Sequence, residues 1–381
     1  MCPARVRLIA SSDLARYGCA MQLVNGRFLT QRITGAQRYG HEVVRRLVST
    51  CGAGRLQVLT PRHQGAIPEE LAASTSQFGR LRGHPWEQLE LGRRANTEGG
   101  VLWSPVNVGP INARCQVVTI HDLFSIEFPR WVGRRFHLWY SFVLPRLAAS
   151  ARHIITVSEY SKSRIVEILK VPESKVSVVY PGVDAHFAIA EHARLTDVRD
   201  KYNLPEGFIL TLGSLEPRKN LYRVVDAWLL LDNDGRPPLV IAGGLGTQKV
   251  FGTYDVDELR RHKEVRLLGY VPDEDLAALY SAAGLFVYAS LLEGFGLPPL
   301  EAMACGANVV LSDTSAMRET NGGMAFMVDP DDVESIADGI TRALRKGATR
   351  AGKGRQSMVV KRNFDWASTA RQVGAILKLY E

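Results

Sequence analysis

The chain of 381 residues has no uninterrupted apolar run close to the roughly 18 residues that a membrane-crossing helix needs. A signal-peptide pattern is missing as well. Arg5 and Arg7 flank only a short apolar stretch, and the chain is expected to stay in the cytoplasm. Cysteine is scarce: five, at positions 2, 19, 51, 115 and 305, odd in number and with no Cys-x-x-Cys pair. A disulfide framework and a thiolate zinc site are therefore not indicated. No His, Asp and Glu cluster has metal-ligand spacing, so neither a metal nor a bound cofactor is expected. The apolar stretch ending at Ala10 is followed by Ser11-Ser12-Asp13-Leu14 rather than Gly-x-Gly-x-x-Gly, which argues against a dinucleotide-dependent oxidoreductase. A recognisable nucleic-acid-binding motif is lacking too.

What remains is ordinary globular composition, 46% hydrophobic and 23% charged, in a length that suits two domains of about 150 to 200 residues. The charge is lopsided. Residues 1–185 hold 24 Lys and Arg against 13 Asp and Glu, a net +11, and the remainder holds 23 against 26, a net −3. The first half is thus expected to face something anionic: nucleic acid, an anionic membrane surface or a diphosphate-linked acceptor.

Short β-prone apolar runs alternate with helical patterns throughout. Strands are expected at 6–10, 56–59, 101–103, 117–120, 153–157 and 176–180, with helices at about 40–49 and 162–170. After a polar stretch, strands follow at 208–212, 239–242, 285–289 and 308–311, a strand and its loop at 265–272, and helices at 275–283, 333–344 and 366–379. This alternation predicts α/β architecture with two Rossmann-like domains. They are expected at residues 1–185 and 206–362, joined by a linker at 186–205 and followed by a terminal helix at 363–381. Between 128 and 152, Arg130, Arg134, Arg135, Arg146 and Arg152 alternate with Phe128, Trp131, Phe136, Trp139, Tyr140 and Phe142. Such interleaving fits a membrane-lying surface, and equally aromatics in a core.

The most informative stretch is Glu293-Gly294-Phe295-Gly296-Leu297-Pro298-Pro299-Leu300-Glu301. It reads as strand, glycine turn, helix. In open α/β sheets ligands bind at such strand ends, and the free N–H groups of a helix start attract a phosphate. Carboxylates framing the turn can each accept paired hydroxyls of a sugar or ribose. Upstream, Gly213-Ser214-Leu215-Glu216-Pro217-Arg218-Lys219-Asn220-Leu221 puts two adjacent cations after a strand, suited to gripping a diphosphate. His121-Asp122 ends another strand, and Thr34-Gly35-Ala36-Gln37-Arg38-Tyr39 precedes the first helix.

In this order and spacing the motifs resemble those of the retaining glycosyltransferases of family 4, over nearly the whole chain. The resemblance implies the GT-B fold, two Rossmann-like domains facing a cleft, with the C-terminal helix crossing back to the first. It implies catalytic roles for His121, Asp122 and Glu293, and donor binding by Gly35, Gly213, Ser214, Arg218, Lys219, Gly269, Tyr270, Val271, Glu293, Gly294, Phe295, Gly296, Leu297 and Glu301. Glu293 would contact the donor sugar and Glu301 the ribose; the first domain would take the acceptor. Ser214 departs from the pattern, since many members carry a further arginine there. Thr34 to Tyr39 together with Gly213 to Leu221 looks most like bacterial mannosyltransferases of polysaccharide assembly. That implies GDP-mannose as donor, no metal, a saccharide acceptor on a polyprenyl diphosphate, and a peripheral position on the inner face of the cytoplasmic membrane. A UDP- or dTDP-sugar donor is the alternative, as is a non-catalytic basic protein that binds nucleic acid or a membrane.

Overall fold

A computed structural model describes residues 21–51, 54–62, 67–214, 216–232, 236–244, 261–321, 323–347 and 350–381. The strand expected at 6–10 lies outside them. The first sheet is built from β1 (Gln22–Asn25), β2 (Leu56–Pro61), β3 (Thr75–Phe78), β4 (Val101–Ser104), β5 (Gln116–Thr119), β6 (His153–Thr156) and β7 (Val176–Val178). Its order is β3-β2-β1-β4-β5-β6-β7, and each neighbouring pair is parallel. The second holds β8 (Ile209–Leu212), β9 (Leu239–Ala242), β10 (Val265–Gly269), β11 (Leu285–Tyr288), β12 (Val309–Ser312) and β13 (Phe326–Val328). Its order is β10-β9-β8-β11-β12-β13, again parallel throughout.

Helices cover both faces, so central strands such as β4 and β11 are buried along their whole length, which is why they read as unbroken apolar runs. The principal helices are α1 (Gly35–Cys51), α2 (Arg134–Ser150), α3 (Glu159–Leu169), α4 (His192–Tyr202), α5 (Leu221–Leu229), α6 (Asp273–Ala282), α7 (Leu297–Ala304), α8 (Ala316–Asn321), α9 (Val333–Lys346), α10 (Arg350–Asn363) and α11 (Trp366–Lys378). The polar stretch expected as linker contains α4. Its inward Val198 is buried, while Lys201 Nζ and Tyr202 OH both donate to Asp275 of α6, at 2.6 and 2.7 Å. Leu195, Val198 and Tyr202 fall at helical spacing, but the charged residues between them make the segment read as linker.

The terminal helix does cross back. α11 packs on α1, Thr369 donates to the Tyr180 carbonyl at 2.8 Å, and Trp366 fills the space beside Gly182. Beyond α11, Tyr380 OH lies 3.1 Å from His153 Nδ1 in the first sheet. One hydrophobic core runs continuously from Val24 and Trp103 through Phe187, Phe295, Phe364 and Trp366 to Val240 and Tyr288. The two sheets therefore meet across a cleft under a shared core.

Candidate functional site

In the second sheet the chain winds outward from β8 in one direction and from β11 in the other, so the loops leaving these two adjacent strands part and open a crevice. The β8 loop makes a single tight turn, Pro217–Lys219, closed by Asn220 in the left-handed region at φ 57°. Asn220 Nδ2 donates to the carbonyls of Ala289 and Pro330, at 2.9 and 2.7 Å. The turn is thereby tied to the end of β11, from which Tyr288, Ser290 and Glu293 arise.

Glu293 is the centre of what results. Its Oε1 accepts from Lys219 Nζ at 2.7 Å, Tyr288 OH at 2.9 Å and Ser290 Oγ at 2.7 Å; its Oε2 lies 2.7 Å from Arg218 Nη1. Lys219 Nζ also donates to the Tyr288 oxygen at 2.6 Å. Burial pushes the Glu293 carboxyl up, but Arg218 and then Lys219 outweigh it and hold it at about 2. The Lys219 ammonium is drawn below its usual range by burial and by Arg218, with Glu293 opposing. Two basic side chains thus stand together at a strand end, where a diphosphate could be gripped.

The first domain brings His121 and Asp122 to the same place. The His121 N–H donates to Asn107 Oδ1 at 2.8 Å, and its Nε2 bonds the Pro105 carbonyl at 3.0 Å. Its ring stands edge-on to Tyr39, 4.9 Å between centroids. Burial lowers its pKa to about 4, so the imidazole is neutral near pH 7. Burial raises Asp122 to about 6, against the pull of Arg218. The domains touch backbone to backbone: a Cβ on Gly294 would come within 2.5 Å of the His121 carbonyl oxygen. Ser158 Oγ donates to the Gly294 carbonyl at 2.6 Å and Ser161 Oγ to the His121 carbonyl at 2.9 Å.

Gly296, at φ 91°, turns the chain into α7, whose first residues include Pro298 and Pro299. Gly35 sits opposite, with Leu297 Cδ1 4.0 Å from where its Cβ would be. Within α7, Glu301 is buried, and among the described residues its side chain has one long bond, from Tyr280 OH at 3.4 Å. Burial lifts its carboxyl to about 7, with Arg38 pulling the other way. Arg38 itself is paired across the cleft with Asp273 at 2.6 Å.

Of the other donor-site expectations, Gly213 packs its Cα against the Lys219 side chain and Ser214 bonds Glu216. Gly269 ends β10, and the next residue, Tyr270, is 61% exposed with the Arg32 guanidinium 5.0 Å above its ring. Phe295 packs between Tyr180 and Phe364, and Val271 is equally buried. Their side chains belong to the core, and only their main chains are left to meet a ligand. Tyr288, Ser290 and Asn107 were not anticipated as site residues, and Arg38 and Tyr39 only as part of the Thr34 to Tyr39 motif. Tyr288 lay inside an apolar run and looked like core. Among the described residues no group of three or more His, Cys, Asp or Glu could hold a metal ion, and no helix is long and apolar enough to cross a membrane.

Residues 33–187 match the family described as Glycosyltransferase Family 4, and residues 196–358 the one described as Glycosyl transferases group 1. O-antigen chain mannosyltransferase B of Escherichia coli is 33% identical over 266 residues, 69% of this chain and 70% of that one. The serotype-specific mannosyltransferase WbdA of Escherichia coli is 33% identical over 264 residues, 67% of this chain but only 32% of its own length. Among solved structures, Anabaena Alr3699/HepE in complex with UDP and glucose superposes with a TM-score of 0.73 over 95% of this chain and all of that one, at 18% identity.

Proposed function

This chain belongs to glycosyltransferase family 4, and on that premise we propose that it moves mannose from GDP-mannose to a lipid-linked saccharide during assembly of a cell-surface polysaccharide. One observation carries the reading: Lys219 and Arg218 from one loop meet Glu293 from the other, at 2.7 Å each, across the switch point of the second sheet. Cations for a diphosphate and a carboxylate for sugar hydroxyls stand side by side. The likeness to the O-antigen chain mannosyltransferase over 69% of this chain favours mannose.

In the transfer, an acceptor hydroxyl oxygen bonds to the anomeric carbon while the bond from that carbon to the diphosphate oxygen breaks. The electron pair leaves with the diphosphate. Lys219 and Arg218 meet the charge that develops there, and the start of α7 adds its dipole but few donors, since Pro298 and Pro299 carry no N–H. A diphosphate leaves without protonation by a carboxylic acid, so Glu293 holds hydroxyls rather than acting as a hydrolase acid. Attack from the face the diphosphate leaves retains the anomeric configuration, and the acceptor proton passes to the departing phosphate oxygen. His121, neutral and fixed through Pro105 and Asn107, offers the sugar an uncharged hydrogen-bonding surface. The acceptor approaches from the first domain, whose exposed arginines around α2 rest against an anionic membrane.

Thermal melting against a panel of nucleotide sugars tests the donor, because a ligand bound only by the folded state raises the melting temperature. GDP and GDP-mannose are expected to shift it. A shift with UDP or dTDP compounds alone overturns the donor, and no shift with any of them removes the proposed ligand from the crevice.

A further inference from the structure

The first domain places one cation over the second domain's half of the crevice, and the transfer chemistry makes no use of it. Arg32 leaves the loop ahead of α1, crosses the cleft and rests its guanidinium 5.0 Å above the ring of Tyr270. Its Nη2 and Nη1 also come within 3.6 and 3.7 Å of where a Cβ on Gly244 would be. Arg32 is exposed, and among the described residues its N–H groups meet no carboxylate and no hydrogen-bond acceptor. The position is what gives this weight. Gly213, Gly243 and Tyr270 follow β8, β9 and β10, which are neighbouring strands. Two strand spacings, on the order of 10 Å, thus separate the diphosphate cations of the β8 loop from Tyr270, about the reach of a nucleoside. Gly243, at φ 138°, packs on the Gly213 carbonyl, so the floor between is bare main chain that a nucleoside can approach closely. Glu301 feels Arg38 and Asp273, and Asp273 follows closely on Tyr270. Sugar and diphosphate lie toward Glu293 and His121, and the base runs the other way, to Arg32.

We propose that Arg32 reads the base of the donor nucleotide, its guanidinium donating in a fork to the O6 and N7 acceptors of guanine. The inference rests on the nucleotide-sugar reading above, and it gives a chemical reason for a guanosine donor. Guanine sets two acceptors side by side on that edge; adenine places an amino group beside N7, and thymine or uracil presents O4 alone. An arginine fork matches the guanine pair, whereas a lysine keeps the charge and loses the match. Tyr270 steadies the guanidinium through its ring face and leaves the N–H groups for the base. Reader and nucleotide then belong to different domains, so the base is chosen as the cleft closes. A wrong nucleotide can occupy the second domain and still fail to draw the first onto it.

Isothermal titration of the full chain with GDP, 7-deaza-GDP and UDP tests this, because 7-deaza-GDP keeps O6 and the diphosphate but carries carbon in place of N7. Wild type should bind GDP about tenfold more tightly than 7-deaza-GDP, and in Arg32→Ala and Arg32→Lys that ratio should fall to about one. Preference for GDP over UDP should shrink by roughly tenfold in both. Each variant should melt with wild type, since Arg32 is exposed and makes no hydrogen bond among the described residues. If Arg32→Ala weakens GDP, 7-deaza-GDP and UDP alike, the residue acts through charge alone. That result overturns the inference while a guanosine donor stands, as does a 7-deaza ratio near one in wild type or a ratio that neither substitution moves. A wild type that prefers UDP overturns the guanosine donor and this contact together. One that binds no nucleotide removes the donor reading, and Arg32 loses its ligand with it.

Discussion

The two glutamates that frame the α7 turn are chemically unlike. Glu293 is ionised whatever the pH near neutrality, because its cations touch it. Glu301 has no cation in contact among the described residues, since Arg38 is engaged with Asp273, and burial lifts it to about 7. A ribose diol can only donate in a fork to a carboxylate, so the ionised form is the one that binds. The nucleotide sugar itself, a diphosphate diester, has no proton to lose in this range. Its affinity should therefore rise from about pH 6 to about pH 8, and Glu301→Gln should abolish the slope; a wild type with a flat titration curve removes Glu301 from the nucleotide site. The stability sign runs opposite to that of a paired carboxylate. A folded pKa above the unfolded one contributes stability below the unfolded value, and that is lost as pH rises through about 7. Glu301→Gln should thus melt higher relative to wild type at about pH 8 than at about pH 5. At Glu293 the Ala variant is the cruder probe. It strands two buried cations, and a loss of about 3 kcal/mol or more is expected in the melt beside lost activity.

Among the elements, α3 shows how the cleft is held shut. Its N-terminus leaves backbone donors free, and a carboxylate from the other domain takes two of them: Glu319 of α8 accepts from Glu159 N at 2.8 Å and Tyr160 N at 3.1 Å, and from Tyr180 OH at 2.7 Å. Losing such a cap costs about 1 kcal/mol, and in Glu319→Ala that cost falls on closure rather than on either fold. A lower melting temperature, a larger radius of gyration by small-angle scattering and a raised donor KM are expected. An unchanged scattering profile would show that the cleft closes without this contact. None of this was legible beforehand, and the reason is general: α3 with its own Ser158 cap could be read locally, but a partner 160 residues away exists only once the domains dock. The same holds for Gly294 against His121 and for Arg38 with Asp273. By contrast β4, β5, β8 and β11 stood out as apolar runs, and the Arg218-Lys219 and Glu293 motifs each lie within one loop. β1 escaped notice because Gln22 and Asn25 break its four residues with polar ends, although both are buried. Phe295 and Val271 were assigned to the donor because they sit inside motifs; their apolar side chains went to the core.

On the scale of the molecule, the basic half and the acidic half meet at the crevice, and the excess of positive charge has an outlet on one face. Arg130, Arg134, Arg135, Arg146 and Arg152 are all exposed on and beside α2. Val143, Leu144, Leu147 and Ala148 of that helix are buried, whereas Leu138 and Phe142 are 56% and 50% exposed. The aromatics divide accordingly: Trp131 is core, and Phe142 lies outward with the Arg146 guanidinium 3.8 Å from its ring centre. Five cations near an anionic surface contribute on the order of 1 kcal/mol each, and two half-exposed apolar side chains contribute less than that total. Attachment should then be electrostatic. Flotation with vesicles rich in phosphatidylglycerol should carry the protein at low salt and release it at roughly 0.5 M salt, where screening extends only a few ångström; neutral vesicles should leave it behind. Arg134→Glu with Arg135→Glu should weaken flotation while transfer to a water-soluble acceptor is unaffected, since neither side chain reaches the crevice contacts around Glu293. Binding that survives salt would make Leu138 and Phe142 the anchors, and no flotation on anionic vesicles would return the basic face to plain solvated surface.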